Sequence, residues 1–182
     1  MIYHGAVSAR PAPDSPSEDS FDDVDLIVQA WQRERPDLDV QPLAVLSRVT
    51  RLARHLDHAR SEAFSMHGLD SWEFDVLAAL RRAGAPYALS PGQLSSQTLV
   101  TSGTMTNRVD RLVERGFVHR APDPSDRRGV RVALTDSGKR TVDSAFIDLL
   151  KREHELLEAL PDRERSELAA LLRTLMGQFP NS

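Results

Sequence analysis

The sequence predicts a mainly α-helical fold: a winged helix-turn-helix with a two-stranded wing, and a helical dimerisation region formed by the N- and C-terminal helices. Three observations after residue 89 carry this prediction. Two helix caps follow each other closely, a glycine ends the second helix, and two apolar strands then enclose a charged turn that contains prolines. Helical stripes flank this segment on both sides. We expect dimerisation helices at 22–66 and 136–182 and a winged-helix region at 70–135.

The first helix of the pair is predicted to begin after Ser90. Serine is a preferred N-cap residue, Pro91 suits the first helical position, and Gln93 completes a capping box three residues after the cap. These groups satisfy N–H donors that an uncapped helix leaves unpaired. The start of this helix is therefore specified by local chemistry.

The second helix is predicted to follow the N-cap residue Thr101 and to end before Gly116. Its buried stripe consists of apolar residues at helical spacing: Met105, Val109, Leu112 and Val113. The opposite face carries small, hydroxyl, amide and guanidinium groups, which suit a helix that enters a major groove of DNA. The candidate DNA-binding residues of this helix are Thr101, Ser102, Gly103, Thr104, Thr106, Asn107 and Arg111.

The wing is predicted from two strands, 117–120 and 130–134, joined by a turn-rich loop at 122–129. We expect the ladder to end at this loop, because its two prolines have no N–H to donate. Arg127 and Arg128 in the loop are candidate contacts to a minor groove, where the negative potential is strongest. The second strand alternates, which predicts inward Val130, Val132 and Leu134 and outward Arg131 and Ala133.

The charge of the chain is distributed unevenly. The formal net charge is −4, but residues 89–140 carry nine Lys/Arg and five Asp/Glu, which leaves that segment at +4 and the remainder at −8. A basic segment beside an acidic body is typical of a protein that binds the phosphate backbone through one surface. Because a symmetric dimer presents this surface twice, we expect double-stranded DNA with a palindromic operator as the partner.

The remaining chain is predicted to be helical, apart from a disordered tail at 1–21 that is rich in proline, serine and acidic residues. A short amphipathic helix follows Asp22 or Asp23 and stops before Pro36, and a winged-helix core does not require it. The longer stripes have a coiled-coil-like spacing and need a partner surface, so we expect a homodimer. They comprise Val45, Val49, Leu52, Leu56, Ala59 and Ala63, then Val142, Phe146, Leu149, Leu156 and Leu160, and finally Leu168, Leu172, Leu175 and Phe179.

The helix that begins after Asp70 is apolar around almost its whole circumference and is therefore predicted to be buried. Glu73 completes a cap arrangement with Asp70, and Asp75 lies within the apolar run. An unpaired buried carboxylate costs on the order of 3 kcal/mol or more, so we expect Asp75 to be paired. Arg108 on the flank of the second helix and Arg120 in the first wing strand are the candidate partners.

The run at 110–138 (DRLVERGFVHRAPDPSDRRGVRVALTDSG) resembles the MarR family of bacterial transcriptional regulators. It contains the DR-L-E-R-G end of the second helix and the D-P-x-D-R-R wing followed by L-T-x-x-G. With the flanking helices the resemblance covers 24–179. It implies a homodimeric winged-helix repressor whose affinity for DNA is changed by a small molecule.

Trp31, Asp75, Arg108 and Arg120 resemble the four residues that mark the urate-responsive branch of this family, which also has an added N-terminal helix. In that branch an anionic purine lies between the dimerisation helices and the recognition helix, which is the second helix of the helix-turn-helix. The purine displaces the acidic residue of the four and thereby shifts the recognition helix. A planar monoanion suits aromatic stacking and bidentate hydrogen bonds from arginine. A di- or tricarboxylate such as aconitate or citrate is the alternative ligand. Packing of Trp31 and a structural ion pair of Asp75 are the alternative roles of those residues.

Several classes of function find no support in the sequence. The absence of cysteine excludes thiol-based redox sensing and Cys-containing metal sites. His55, His58 and His67 lie close together in sequence, but no carboxylate cluster completes a metal site, so we expect no metal or other cofactor. No catalytic motif indicates an enzyme.

No apolar run reaches the ~18 residues of a membrane span, so we expect a cytoplasmic protein without membrane contact. A winged-helix protein-interaction module without DNA binding is the alternative function. Asn107 and Arg111, together with the basic wing, favour DNA.

Overall fold

The computed structural model describes residues 21–124 and 126–179. Within them the chain forms three helices, a short strand, two helices, two strands and two helices. The chain divides into two compact units with the boundary after Arg54, inside the second helix. In the described part of the chain, no helix is both long and apolar enough to cross a membrane.

The first unit contains α1 (Asp23–Glu34) and the beginning of α2 (Gln41–Ser65). The added N-terminal helix predicted from the sequence is confirmed, with Asp22 as its N-cap. The Asp22 carboxylate accepts hydrogen bonds from two N–H groups of the first turn, at 2.8 and 3.2 Å. Val24 and Val28 of the predicted stripe are buried, whereas Ile27 and Trp31 are exposed.

The cap of α1 is held by an arginine of α2. Arg48 donates to Asp22 from Nε and Nη2, each at 2.9 Å, and to Asp25 at 2.7 Å. The hydrogen bonds from Arg48 hold the pKa of Asp22 below its usual value of 3.8. This interaction stabilises the first unit only while the Asp22 carboxylate is ionised.

We expect the stabilising effect of the Asp22 charge to disappear in acid. A carboxylate whose folded-state pKa is depressed contributes stability above its unfolded pKa, and this contribution is lost as the pH falls through the folded pKa. Asp22→Asn keeps a good N-cap residue but removes the charge. Urea unfolding should show the variant less stable than the wild type at neutral pH, with the difference shrinking below the usual pKa of 3.8. A difference that stays constant across that range would contradict the role of the charge.

The second unit is built around α3 (Ser71–Arg82), which is buried as predicted. The Phe74 ring of α3 stacks on Phe64 at the end of α2, with ring centroids 4.0 Å apart. Glu73 Oε2 accepts the N–H of Asp70 at 3.0 Å, as expected for the cap arrangement. The buried residues of this helix are Glu73, Phe74, Val76, Leu77, Ala78, Ala79 and Leu80.

The predicted helix pair is confirmed as α4 (Pro91–Thr98) and α5 (Ser102–Glu114). Ser90 Oγ accepts the N–H of Gln93 at 3.2 Å, and Gln93 Oε1 accepts the N–H of Ser90 at 2.9 Å. Gly116 has a φ of 72°, which ends the second helix in the left-handed conformation that glycine adopts most easily. The buried residues of α5 are Met105, Val109 and Leu112, whereas Val113 is exposed.

The wing belongs to a three-stranded antiparallel sheet of β1 (Ala88–Leu89), β2 (Val118–Asp123) and β3 (Asp126–Leu134), in the order β1-β3-β2. The first strand has only two residues, too few for a periodicity to predict it. The expected end of the ladder at the prolines is wrong, because Pro122 still pairs with Val130. Since β2 lies at the edge of this sheet, a residue without an N–H is tolerated there.

The predicted alternation of β3 is only partly correct. Val132 and Leu134 are buried as expected, but Val130 is 42% exposed and Ala133 is 7% exposed. Val130 lies near the tip of the wing. Ala133 lies in the central strand, with Ala88 opposite on one side and His119 on the other. Position in the sheet therefore overrides the simple alternation of side chains.

The chain ends in α6 (Asp136–Leu157), capped by Thr135, and α7 (Asp162–Met176). The inner face of α6 buries Val142 and Leu149, but no residue of α7 is buried. The large apolar residues left exposed at this end are Phe146, Ile147, Leu150, Leu156, Leu157, Leu168, Leu171, Leu172, Leu175, Met176 and Phe179. An uncovered apolar surface of this extent is typical of an interface.

Candidate functional site

The α5 helix presents a polar, solvent-exposed face. Thr101 caps the helix by accepting the N–H of Thr104 at 3.3 Å, and the two hydroxyls lie 3.0 Å apart. Thr106 Oγ1 donates to the carbonyl of Ser102 at 3.0 Å. The three threonine hydroxyls of the first turns thus have local partners, and Asn107 is exposed. All seven candidate DNA-binding residues of this helix are exposed: Thr101, Ser102, Gly103, Thr104, Thr106, Asn107 and Arg111.

Two arginines of α5 lie over one tryptophan of α3. The guanidinium carbons of Arg111 and Arg108 are 4.8 and 5.4 Å from the centre of the Trp72 ring. Trp72 Nε1 donates to Asp70 Oδ2 at 3.2 Å, and Nη2 of Arg111 lies 4.0 Å from the same oxygen. We call these four residues the tryptophan platform. Sequence reasoning missed it, because only the fold brings α3 to the arginines.

An ion pair joins α5 to the wing. Arg120 in β2 and Asp110 in α5 have Nη1 and Oδ1 2.7 Å apart, with both side chains about half exposed. In the wing itself, Arg131 donates to Asp123 at 2.9 Å. The side chains of Arg127 and Arg128, the predicted minor-groove contacts, lie outside the described part of the structure.

The prediction that Asp75 is a buried carboxylate is wrong, because Asp75 is exposed. The buried carboxylate is Glu73, whose side chain is 1% exposed and pairs with Arg115 at the end of α5. Arg115 also donates to the carbonyl of Gly68 at 2.8 Å. Glu73 and Asp75 are two residues apart, about 200° around the helix, so only one of them can face the core. The sequence contained both acids but did not indicate which one faces inward.

Trp31, Asp75, Arg108 and Arg120 are the candidate residues for binding an anion. Trp31 lies on α1 in the first unit and is 49% exposed. In the described part of the second unit, no ion pair links Asp75 to Arg108 or Arg120. The expected pairing is therefore wrong: Arg120 pairs with Asp110, and Arg108 lies over Trp72.

Two cavities lie beside α3 in the second unit. An open cavity of about 230 Å³ is lined by Asp75, Arg82, Gln97, Thr98 and Leu99. A more enclosed cavity of about 110 Å³ lies against α6 and is lined by Phe74, Ala78, Arg81, Arg82, Val142, Asp143 and Phe146. Asp143 pairs with Arg81 at 2.7 Å and raises the pKa of that arginine. Arg82 borders both cavities, and sequence reasoning did not single it out.

The histidines considered for metal binding have other surroundings. His58 lies 3.1 Å from Glu62 on the next turn of α2, and His67 lies 2.7 Å from Asp148 of α6. His55 is exposed. Across residues 21–124 and 126–179, no three His, Asp or Glu side chains are grouped so as to hold a metal ion.

Comparisons with known proteins agree with this architecture. The model of the MarR family matches residues 67–129. The HTH-type transcriptional regulator PecS of Dickeya dadantii is 40% identical over 156 residues, which covers 86% of this chain and 94% of PecS. The HTH-type transcriptional repressor NicR of Pseudomonas putida is 33% identical over 150 residues, covering 80% of this chain and 92% of NicR.

A solved structure shares the fold as well. The crystal structure of a mutant MarR from E. coli, complexed with operator DNA, superimposes with a TM-score of 0.63 at 29% identity. The match covers 76% of this chain and 99% of that chain. The chain thus matches this family in sequence and in structure. It belongs to the MarR family of helix-turn-helix transcriptional regulators.

Proposed function

We propose that the chain is a homodimeric repressor that binds a palindromic operator and releases it on binding a small anion, urate or a related purine. The observation that carries the DNA-binding part is the exposed polar face of α5 beside the basic wing. The relative NicR, named a repressor, and the operator complex of E. coli MarR support the proposal. A regulator of this kind acts on DNA in the cytoplasm.

The second copy in this proposal covers the apolar surface of α6 and α7. Leaving Leu171, Met176 and Phe179 each more than half exposed to water is unfavourable, at roughly 25 cal/mol for each Å² of apolar surface. A second copy offers the same apolar face, and an isologous interface covers both at once. In such a dimer the two α5 helices enter major grooves about 10 bp apart, with Arg127 or Arg128 at the flanking minor grooves.

An anion can cause release of DNA by breaking the ion pair between Arg120 and Asp110. An anion that binds the Arg120 guanidinium competes with Asp110, the acid that ties α5 to β2. Loss of this tie frees the recognition helix to move. The ligand lowers DNA affinity only by its preference for the moved state. Trp31, Asp75 and Arg108 are the other proposed ligand-binding residues.

Selection of binding sites from a random duplex library tests the proposed DNA binding. We expect a palindromic consensus with half-sites about 10 bp apart. Asn107→Ala and Arg127→Ala should weaken binding to this duplex, and Arg111→Ala should cost ~1–3 kcal/mol if Arg111 contacts guanine. Arg163→Ala, at an exposed position of α7, is the matched control for loss of one positive charge. Recovery of no consensus, or wild-type affinity in all three variants, would refute the proposal.

Titration of the selected complex with urate, xanthine, citrate and aconitate tests the ligand. Urate or xanthine should release the DNA, and Arg120→Ala should reduce that response more than it reduces folding. Asp110→Asn should weaken operator binding without any ligand, because it removes the same tie. Release by citrate or aconitate alone would assign the pocket to carboxylates. Release that is unchanged in the Trp31, Asp75, Arg108 and Arg120 variants would place the pocket elsewhere.

A further inference from the structure

The tryptophan platform leaves Arg111 in an unusual position for a surface arginine. Its side chain is 62% exposed, yet the guanidinium carbon lies 4.8 Å from the centre of the Trp72 ring. Trp72 is half-buried, and its Nε1 hydrogen bond to Asp70 fixes the ring against the start of α3. An exposed side chain therefore lies over a ring that packs against the hydrophobic core.

An arginine above an aromatic face keeps its N–H groups free. The cation–π contact uses the face of the guanidinium, whereas hydrogen bonds to phosphate or guanine use its edge. Restricting the side chain before binding lowers the conformational entropy that is lost when it binds. Asp70 adds little competition, because its oxygen lies 4.0 Å from Nη2 of Arg111, beyond hydrogen-bond distance.

The spacing of the arginines reinforces this arrangement. Arg108 and Arg111 are three residues apart and therefore lie on neighbouring turns of one helix face. Both guanidinium carbons are within 6 Å of the same ring centre. The ring thus contacts two cations of α5, and only Arg111 belongs to the predicted DNA-reading residues.

We propose that Trp72 is a positioning residue for DNA binding: its ring holds Arg111 extended from α5 so that the guanidinium edge meets paired acceptors on DNA. These acceptors are the oxygens of a phosphate or the O6 and N7 atoms of a guanine. The inference rests on the proposed DNA-binding function. It adds a residue that touches no DNA yet sets the affinity.

A double-mutant cycle on the full chain tests this role, with the selected operator duplex as the probe. Trp72→Leu keeps an apolar side chain and should weaken binding about twofold to fivefold, the range of an exposed cation–π contact. In an Arg111→Ala background the same substitution should have almost no effect. Trp72→Phe, which keeps a ring, should recover part of the affinity. Arg131→Ala is the control background, because in the described part of the chain Arg131 pairs with Asp123 and does not contact Trp72. In that background Trp72→Leu should weaken binding by the same factor as in the wild type.

The salt dependence of binding identifies the acceptor. If Arg111 meets a phosphate, Arg111→Ala should lower the slope of log K against log salt by about one, on every sequence. If it meets a guanine, the slope should stay unchanged and preference for one base pair should relax.

Three outcomes would refute the positioning role of Trp72 without refuting the proposed DNA-binding function. They are wild-type affinity in Trp72→Leu, an equal loss in the Arg111→Ala background, or no recovery in Trp72→Phe. If Trp72→Leu does not fold, as judged by thermal unfolding, Trp72→Met takes its place in the cycle. Absence of any selected duplex for the wild type would instead overturn the proposed function, so the two failures are distinguishable.

Discussion

Gly138→Ala is expected to destabilise the second unit by about 2–4 kcal/mol. A Cβ at Gly138 would lie 2.0 Å from the carbonyl oxygen of Phe117 and 2.9 Å from its carbonyl carbon. These are backbone atoms, so the contact is relieved only if the start of α6 and the end of the turn before β2 move apart. Thr135 holds the same junction, since its hydroxyl donates to the carbonyl of Gly116 at 2.7 Å and accepts the N–H of Gly138 at 3.0 Å.

Urea unfolding followed by circular dichroism measures this effect. Gly103→Ala is the matched control, because no atom lies within 4 Å of a Cβ built at Gly103. The control should be neutral or slightly more stable, because alanine favours the helix over glycine. Equal stability of the two alanine variants would contradict the close packing of α6 on Phe117.

Arg115→Met is expected to cost about 3 kcal/mol of stability. Methionine keeps much of the apolar stem of the arginine but leaves the Glu73 carboxylate buried without its ion partner. Glu73→Gln should cost less, about 1 kcal/mol, because the Arg115 side chain is 38% exposed and can turn toward water. The two single variants should therefore differ in their free energy of unfolding, although they break the same ion pair.

The control for this pair is an exposed one. Arg120→Met breaks the ion pair with Asp110, whose two side chains are about half exposed, so it should cost less than about 1 kcal/mol. Equal losses of stability for Arg115→Met and Arg120→Met would mean that the burial of Glu73 does not make its ion pair more important for stability. Both are measured by the same unfolding assay as the glycine variants.

Sequence reasoning predicted the helix boundaries well because the responsible groups are local. Ser90 and Gln93 form the capping box that their spacing predicts, Asp22 caps the added helix, and Gly116 ends α5. Each of these interactions links residues at most four positions apart, so the pattern contains both partners. The exposed face of α5 follows in the same way from helical periodicity.

The errors concern choices that depend on distant residues. Asp75 and Glu73 lie in the same apolar run, and only packing against Arg115, 42 positions away, shows that Glu73 is the buried acid. Pro122 stays in the ladder because β2 is an edge strand, and Ala133 is buried in the strand between β1 and β2. Strand order is a property of the sheet, which no single strand encodes.

The sequence by itself determined where α1, α3, α4 and α5 begin, where α1 and α5 end, which face of α5 is polar, and to which family the chain belongs. Only the tertiary structure decided which charges are paired and which glycine has no room for a side chain. Arg120 pairs with Asp110, Arg111 and Arg108 lie over Trp72, and Gly138 packs against Phe117. The physical reason is range: capping and periodicity act within about one turn of the chain, whereas pairing and close packing depend on segments that meet only after folding.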